Sequence, residues 1–166
     1  SSFRAISSEL RALTKFEGPI NAMIGAYWQD TKRDFWQHIA FANIEDSSQS
    51  AVNRYQATSK NSETDGETIS VFGQAIWSIT STVEATAGVR YTHETKDSYF
   101  LQPYSHQIRV TQGVFLPGVT INSDLTFNNW SPEATISFKP TEDVTLYGAY
   151  KTAYKSGGFS NSGILS

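Results

Sequence analysis

Period-two alternation of apolar and polar residues is the feature that most constrains this chain. In "VEATAGVRY", Val83–Tyr91, apolar residues occupy every second position, and Glu, Thr, Gly and Arg occupy the positions between them. Successive side chains of a β-strand point to opposite faces, so this pattern is typical of a strand with one apolar and one polar face. The alternation returns in "INAMIGAYW" and "WSPEATISFK", whereas no segment shows a convincing 3.6-residue period. The sequence therefore predicts an all-β chain.

The alternation predicts six strands joined as an antiparallel up-and-down meander. The predicted strands are Ile6–Lys15, Ile20–Trp28, Ile69–Ile79, Val83–Tyr91, Trp130–Lys139 and a last strand that begins at Val144. Tight turns are expected at Lys15–Pro19, Ile79–Thr82 and Lys139–Asp143. The two remaining connections, about residues 31–67 and 92–127, are long and polar and are predicted to be loops. Pro132 lacks a backbone N–H, so we expect it at the start of the regular ladder.

The apolar faces carry side chains that suit lipid better than a soluble core. Small residues such as Ala22, Ala26, Ala85 and Ala87 are frequent, whereas a soluble core of this size needs larger side chains. Aromatic residues stand at the ends of the apolar faces, as in the girdles of membrane barrels. These interface candidates are Trp28, Trp77, Tyr91, Trp130, Phe138, Tyr150 and Tyr154. The sequence favours part of a transmembrane β-barrel, with a soluble ligand-binding β-barrel as an alternative.

Composition and motifs exclude several other functions. Charged residues make up 17% of the chain and the net charge is −3, which argues against nucleic-acid binding. The chain has no cysteine, and His38, His93 and His106 lack metal-ligand spacing, so we expect no metal site and no cofactor. No catalytic motif is present, and the carboxylates of Glu142 and Asp143 lie in a tight turn. We therefore expect no enzymatic activity.

Three stretches resemble barrel hairpins of the TonB-dependent outer-membrane receptors. They are "SSELRALTKFEGPINAMIGAYW" at residues 7–28, "SVFGQAIWSITSTVEATAGVRYTHETKD" at residues 70–97, and "FNNWSPEATISFKPTEDVTLYGAYKTAYKSGGFSN" at residues 127–161. The three occur in order and carry the predicted tight turns. Together they cover nearly all of the predicted strands, but neither of the long connections.

The resemblance implies a barrel of about twenty-two strands in the bacterial outer membrane, with its lumen closed by an N-terminal plug domain. Such receptors take up scarce ligands, commonly ferric siderophores and sometimes cobalamin or carbohydrates, energised by the TonB protein. Residues 1–166 contain no recognisable plug and no TonB box, and six strands are fewer than the eight of the smallest bacterial barrels. We therefore expect an internal part of the barrel domain. The alternative is a small complete outer-membrane barrel with two further strands at Gln107–Val110 and Gly118–Ile121.

Within such a barrel, the polar face of each strand lines the lumen. By alternation the lumen-facing candidates are Glu84, Arg90, Glu133, Lys151 and Lys155. They either contact a plug or guide an anionic ligand, or they simply pair with one another to keep the wall polar. Glu133 is expected to pair with Lys151 across the last hairpin.

The long connections carry aromatic residues, and the resemblance implies that such loops capture the ligand. Trp36, Tyr99 and Tyr104 are the contact candidates. The alternative is that these residues extend the strands above the membrane and pack upon one another. "KSGGF", Lys155–Phe159, is predicted to be a rim where glycines release the chain into an outside loop.

Overall fold

The computed structural model describes residues 1–41, 43–47, 49, 53–111, 113 and 117–159. Its elements are β1 (Ser2–Leu13), β2 (Ile20–Ala40), β3 (Gln56–Ser78), β4 (Val83–Ser105), α1 (Gln107–Thr111), β5 (Val119–Thr141) and β6 (Val144–Lys151). Among the described residues, no helix is long and apolar enough to cross a membrane.

The six strands form one sheet in the order of the chain, from β1 to β6, and each strand is antiparallel to the next. This confirms the predicted meander. Short connections join β1 to β2, β3 to β4 and β5 to β6, as the alternation predicts. Within the described residues β1 and β6 are the edge strands.

Pairing across the strands sorts the side chains onto two faces. The apolar face contains rows such as Ala22, Ala75, Ala87, Ala134 and Tyr150, which are partners across β2 to β6. The polar face contains rows such as Met23, Gln74, Gly88, Glu133 and Lys151. Because the register is regular between these strands, the alternation of each strand is in phase with that of its neighbours.

The apolar face is exposed and covers no core. Leu10, Ile24 and Trp130 lie on it, and they are 78%, 64% and 65% exposed. Ala57 is the one buried hydrophobic residue in the part of the chain that the structure describes. A soluble β-barrel buries its apolar face, because apolar surface in water is unfavourable. The exposed apolar face therefore favours the arrangement of a membrane barrel wall over the soluble alternative.

The two predicted long loops are mostly strand. β2 continues to Ala40 and β3 begins at Gln56, so only residues 41–55 connect them. β4 continues to Ser105 and β5 begins at Val119, which leaves residues 106–118. Residues 42, 48, 50–52, 112 and 114–116 of the predicted loops lie outside the described residues. The prediction failed because polar residues occur on both faces of the extended strands, so the alternation disappears.

The extended strands are much longer than a membrane requires. β3, β4 and β5 each have 23 residues, which corresponds to about 75 Å along the strand. A tilted transmembrane strand needs about 9–11 residues. Roughly half of each strand therefore projects beyond the apolar band on the side away from the short turns.

The two extra strands of the alternative reading are not formed. Gln107–Thr111 is the helix α1, and Val119 is the first residue of β5 itself. Gly118 precedes it with φ of 76°, a left-handed conformation that favours glycine. The described residues therefore contain a six-stranded sheet and no further hairpin.

Pro132 lies in the middle of β5, not at the start of its ladder. It is the partner of Val89 on β4, and its carbonyl oxygen accepts a hydrogen bond from Thr152 N–H over 3.2 Å. The N and O of one strand residue point to the same side, so the missing N–H faces β6. The β6 ladder ends there, at the pair Glu133–Lys151. The proline therefore removes no hydrogen bond from the β4–β5 ladder, and it lies where the pairing of β5 with β6 ends.

Candidate functional site

A stack of cations on an aromatic ring occupies the centre of the polar face. Arg11, Gly25, Phe72, Arg90 and Ser131 form one row across β1 to β5. The Arg90 guanidinium carbon lies 4.6 Å from the centroid of the Phe72 ring, and that of Arg11 lies 5.8 Å from it. Both distances are within the range of a cation–π contact. The ring of Phe72 therefore contacts two positively charged side chains on the polar face.

Gly25 makes room for the Phe72 ring. A Cβ atom at position 25 would overlap Phe72 Cζ and would lie 2.9 Å from the carbonyl oxygen of Leu10. Gly88 is similarly close-packed, because a Cβ there would lie 3.0 Å from the carbonyl oxygen of Gly73. A cleft of about 440 Å³ lies on the polar face beside the stack, and Arg11, Phe72 and Arg90 are among the residues that line it.

Two ion pairs border the cleft. Lys151 Nζ lies 3.4 Å from Glu133 Oε2, and the two residues are direct partners across β5 and β6. The predicted Glu133–Lys151 pair is therefore confirmed. The side chains are 64% and 42% exposed, so the pair contributes under about 1 kcal/mol. On the other side of the stack, Arg11 Nε pairs with Glu9.

The structure places the remaining polar-face candidates apart from the cleft. Glu84 lies opposite Ser78 and Ser137 in the strand register, near the short turns and on the same face as Arg90. Lys155 lies in no strand, since β6 ends at Lys151. Four of the five candidates thus share one face of the sheet, and Arg90, Glu133 and Lys151 border one cleft.

Residues 152–159, which we call the inward segment, fold back across the polar face. Lys96 on β4 donates to Ser156 Oγ over 2.6 Å and to the carbonyl oxygen of Gly157 over 2.9 Å. Its Nζ also lies 2.8 Å from Glu94 Oε1. Lys96 belongs to a strand two positions away from β6 in the sheet. The inward segment therefore crosses the whole width of β5.

Aromatic packing holds the inward segment against β5. The rings of Phe127 and Tyr154 have centroids 6.3 Å apart, and a Cβ at Gly157 would lie 3.1 Å from Phe127 Cζ. Burial, followed by the negative charge of Glu94, raises the pKa of the Tyr154 phenol.

Two predictions for this region are wrong. Tyr154 is not in an aromatic girdle, since it contacts Phe127, which shares a face with Asn129 and Ser131. The glycine pair at positions 157–158 does not release the chain outward, because Gly157 contacts Lys96 and Phe127. Both predictions assumed that β6 continues past Lys151, whereas the ladder stops beside Pro132.

The other interface candidates remain on the apolar face. Tyr91 and Trp130 are partners with ring centroids 4.9 Å apart, and Trp28 in the next row donates its indole N–H to Glu67 Oε1 over 2.8 Å. Trp77 and Phe138 lie nearer the short turns. Tyr150 pairs with Ala134. Their assignment to membrane interfaces stays a prediction.

The outer connections pack into one polar cluster. Asp46 Oδ2 accepts hydrogen bonds from Tyr104 Oη over 3.0 Å and from Gln107 N–H over 3.3 Å. His106 is buried and its ring meets Phe41 edge-on at 5.4 Å. Burial, together with the hydrogen bond to Asp46, raises the pKa of the Tyr104 phenol to about 12. The 41–55 connection is thereby tied to β4 and α1.

The predicted ligand-contact aromatics do not form one group. Trp36 lies on β2 and Tyr99 on β4, both within strands and both exposed. In the strand register, Asn61 is opposite Trp36 and Glu63 is opposite Tyr99. Both aromatic residues lie on the same face as the apolar rows. Tyr104 is instead held by Asp46. The prediction that all three occupy loops is wrong.

The three histidines lie apart and have different partners. The ring nitrogen Nδ1 of His38 contacts Gln56 Nε2 at 3.0 Å, and that of His93 contacts Asn128 Oδ1 at 2.8 Å. Nδ1 of His106 accepts from Ile108 N–H over 3.2 Å. In the part of the chain that the structure covers, no three His, Asp or Glu side chains are grouped to hold a metal ion.

Sequence reasoning missed Phe72, Arg11 and Lys96. Phe72 is an apolar residue that breaks the alternation of Ile69–Ile79, and this exception was the available signal. Its meaning depends on Gly25 lying directly opposite, which requires the register between β2 and β3. The importance of Lys96 depends on the fold-back of residues 152–159, which no local pattern reveals.

Comparison with known proteins agrees with this architecture. The family model for the TonB dependent receptor-like β-barrel matches residues 4–164. The structure resembles the ferric yersiniabactin uptake receptor FyuA from Yersinia pestis with a TM-score of 0.67 and 15% identity, over 89% of this chain and 20% of that chain. The chain thus spans about a fifth of the length of that receptor.

A second solved structure is less similar. Ail, the attachment invasion locus protein of Yersinia pestis, aligns with 92% of this chain and 82% of its own, at 12% identity and a TM-score of 0.27. That score is too low to support an inference. Among curated proteins, the sequence search finds no significant match.

The fold and its two faces define part of a transmembrane β-barrel wall. The chain belongs to the TonB-dependent receptor-like β-barrel family, since the family model covers nearly its whole length.

Proposed function

We propose that this chain is part of the barrel of an outer-membrane receptor that takes up a scarce ligand, energised through TonB. The observation that carries the proposal is the exposed apolar face, on which Ile24, Val71 and Trp130 are open to the surroundings and, among the described residues, cover no core. Lipid covers such a face in a membrane barrel. The polar face then lines the lumen, and the long extensions of β2 to β5 stand outside the cell.

The partners follow from these two faces. The apolar face contacts outer-membrane lipid, and the cleft at Arg90 faces a plug domain or a passing ligand. The matched receptor is named for ferric yersiniabactin uptake, and on that likeness we propose a ferric siderophore as the ligand class. No catalytic role and no nucleic-acid partner are proposed.

A growth experiment tests the proposal. The gene for the full receptor is deleted in its own host, and growth is followed on a panel of iron complexes and oligosaccharides as limiting nutrients. We expect loss of growth on one complex, restored by the intact gene but not in a strain that lacks TonB. Unchanged growth on every compound, or restoration without TonB, contradicts the proposed function.

A further inference from the structure

Arg90 is a positive charge without a carboxylate partner. Arg11 pairs with Glu9, and Lys151 pairs with Glu133. In the described ranges, the Arg90 guanidinium contacts the Phe72 ring and no acidic side chain or hydrogen-bond acceptor. The cleft region therefore carries three cations and two carboxylates, which leaves an excess of one positive charge.

The Arg90 guanidinium lies over the Phe72 ring, 4.6 Å from its centroid. A guanidinium that lies over a ring face keeps its in-plane N–H groups free, and those groups form a planar fork that matches a carboxylate. The Phe72 ring occupies the space that its strand partner Gly25 leaves open, since a Cβ at position 25 would overlap the ring. Arg90 is half-buried, so water screens its charge less than at an open surface. These conditions favour recognition of one planar anion.

We propose that Arg90, stacked on Phe72, forms a carboxylate-binding site in the lumen wall. One carboxylate balances the excess charge of the cleft and accepts two parallel N–H bonds from the guanidinium. The carboxylate belongs either to an acidic side chain of the plug domain or to the transported ligand, and the chemistry at Arg90 is the same for both. The inference rests on the proposed function for the assignment of the polar face to the lumen and for the two sources of the carboxylate.

The test measures current through the purified full-length receptor in a planar lipid bilayer. Urea opens the plug, and citrate added to the bath is the carboxylate probe, with uncharged erythritol as its control. We compare the wild type, Arg90→Gln, and Arg33→Gln, which removes one positive charge from the same face further along β2. Insertion of each variant is checked by its heat-modifiable migration in gels.

We expect citrate, but not erythritol, to block the wild-type pore, with a half-blocking concentration at least about tenfold higher in Arg90→Gln, since the variant loses the charge-assisted hydrogen bonds to the carboxylate. If a plug carboxylate is the natural partner, Arg90→Gln also lowers the urea concentration that opens the pore. Either change, absent in Arg33→Gln, supports the site and identifies the source of the carboxylate.

An inserted receptor in which Arg90→Gln changes neither the citrate block nor the urea opening overturns the site, whatever the growth experiment shows. If Arg90→Gln does not insert, Arg90→Lys takes its place, because an ammonium keeps the charge but cannot form the planar fork. There we expect about a threefold rise in the half-blocking concentration, and no rise contradicts the proposal.

Discussion

Lys96 Nζ lies 2.9 Å from the carbonyl oxygen of Gly157, and this contact joins β4 to the inward segment. The same ammonium group contacts Ser156 Oγ and Glu94, and it lies 5.6 Å from the centroid of the Phe127 ring. One lysine therefore binds the chain after β6 to a strand two places away in the sheet. Because Lys96 holds the inward segment against the polar face, the segment covers part of that face.

Substitution Lys96→Met should release the inward segment. Methionine keeps much of the side-chain volume but donates no hydrogen bond, so Ser156 and Gly157 lose their partner. With Gly158→Cys as a reporter in the full receptor, at a position where a Cβ would meet no neighbouring atom, we expect maleimide labelling to become at least about fivefold faster. Lys155→Met is the matched control, since Lys155 makes none of these contacts. Equal labelling rates in the two variants contradict the assigned role of Lys96.

Substitution Gly25→Ala should displace Phe72 from its position under Arg90. The new methyl group would overlap the ring and approach the backbone of Leu10, so we expect a loss of about 1–3 kcal/mol in the free energy of unfolding. Gly73→Ala on β3 is the control, because its nearest neighbour would lie 3.9 Å away. Urea titration of the receptor in lipid vesicles measures both. A larger loss for Gly73→Ala than for Gly25→Ala contradicts the close packing at Phe72.

The Tyr104–Asp46 contact should respond to alkaline pH. The folded pKa of Tyr104 is raised from 10.0 to about 12, so the stabilisation from its proton is complete below about pH 10 and is lost as pH rises through about 12. We expect the absorbance difference between the wild type and Tyr104→Phe to titrate near pH 12. In Asp46→Asn, where burial still raises the pKa, the same difference should titrate at a lower pH than in the wild type, because the carboxylate no longer favours the protonated phenol. A midpoint unaffected by Asp46→Asn contradicts this cause.

The membrane-level strands could be predicted from the sequence because one face meets lipid and the other does not. Val83–Tyr91 alternates for this reason, and β4 contains that segment. Beyond Tyr91, the positions of β4 that continue the apolar face are occupied by polar residues such as Thr95 and Asp97. These residues lie beyond the apolar band and cover no core. Both faces of β4 meet water there, so the sequence no longer alternates between apolar and polar residues. For that reason the alternation predicts a loop where β4 continues to Ser105.

The arrangement of the candidate site depends on contacts between distant residues. The Glu133–Lys151 pair was predictable because a short turn fixes the register of its hairpin. Phe72 and Arg90 are direct partners across a short turn, but the room for the Phe72 ring depends on Gly25 and hence on the register between β2 and β3, which no short turn fixes. The path of Tyr154 depends on the end of the β6 ladder beside Pro132. Neither is encoded in a local pattern of alternation.

The assignment of the two faces is the central claim, and Ala87 and Thr86 test it most directly. Ala87 lies in the alanine row of the apolar face, and Thr86 lies beside it on the polar face. We measure the free energy of unfolding of the full receptor in lipid vesicles for Ala87→Arg and for Thr86→Arg. If lipid covers the apolar face, Ala87→Arg costs about 2–4 kcal/mol and Thr86→Arg costs less than about 1 kcal/mol. Equal costs, or a larger cost at Thr86, contradict the account.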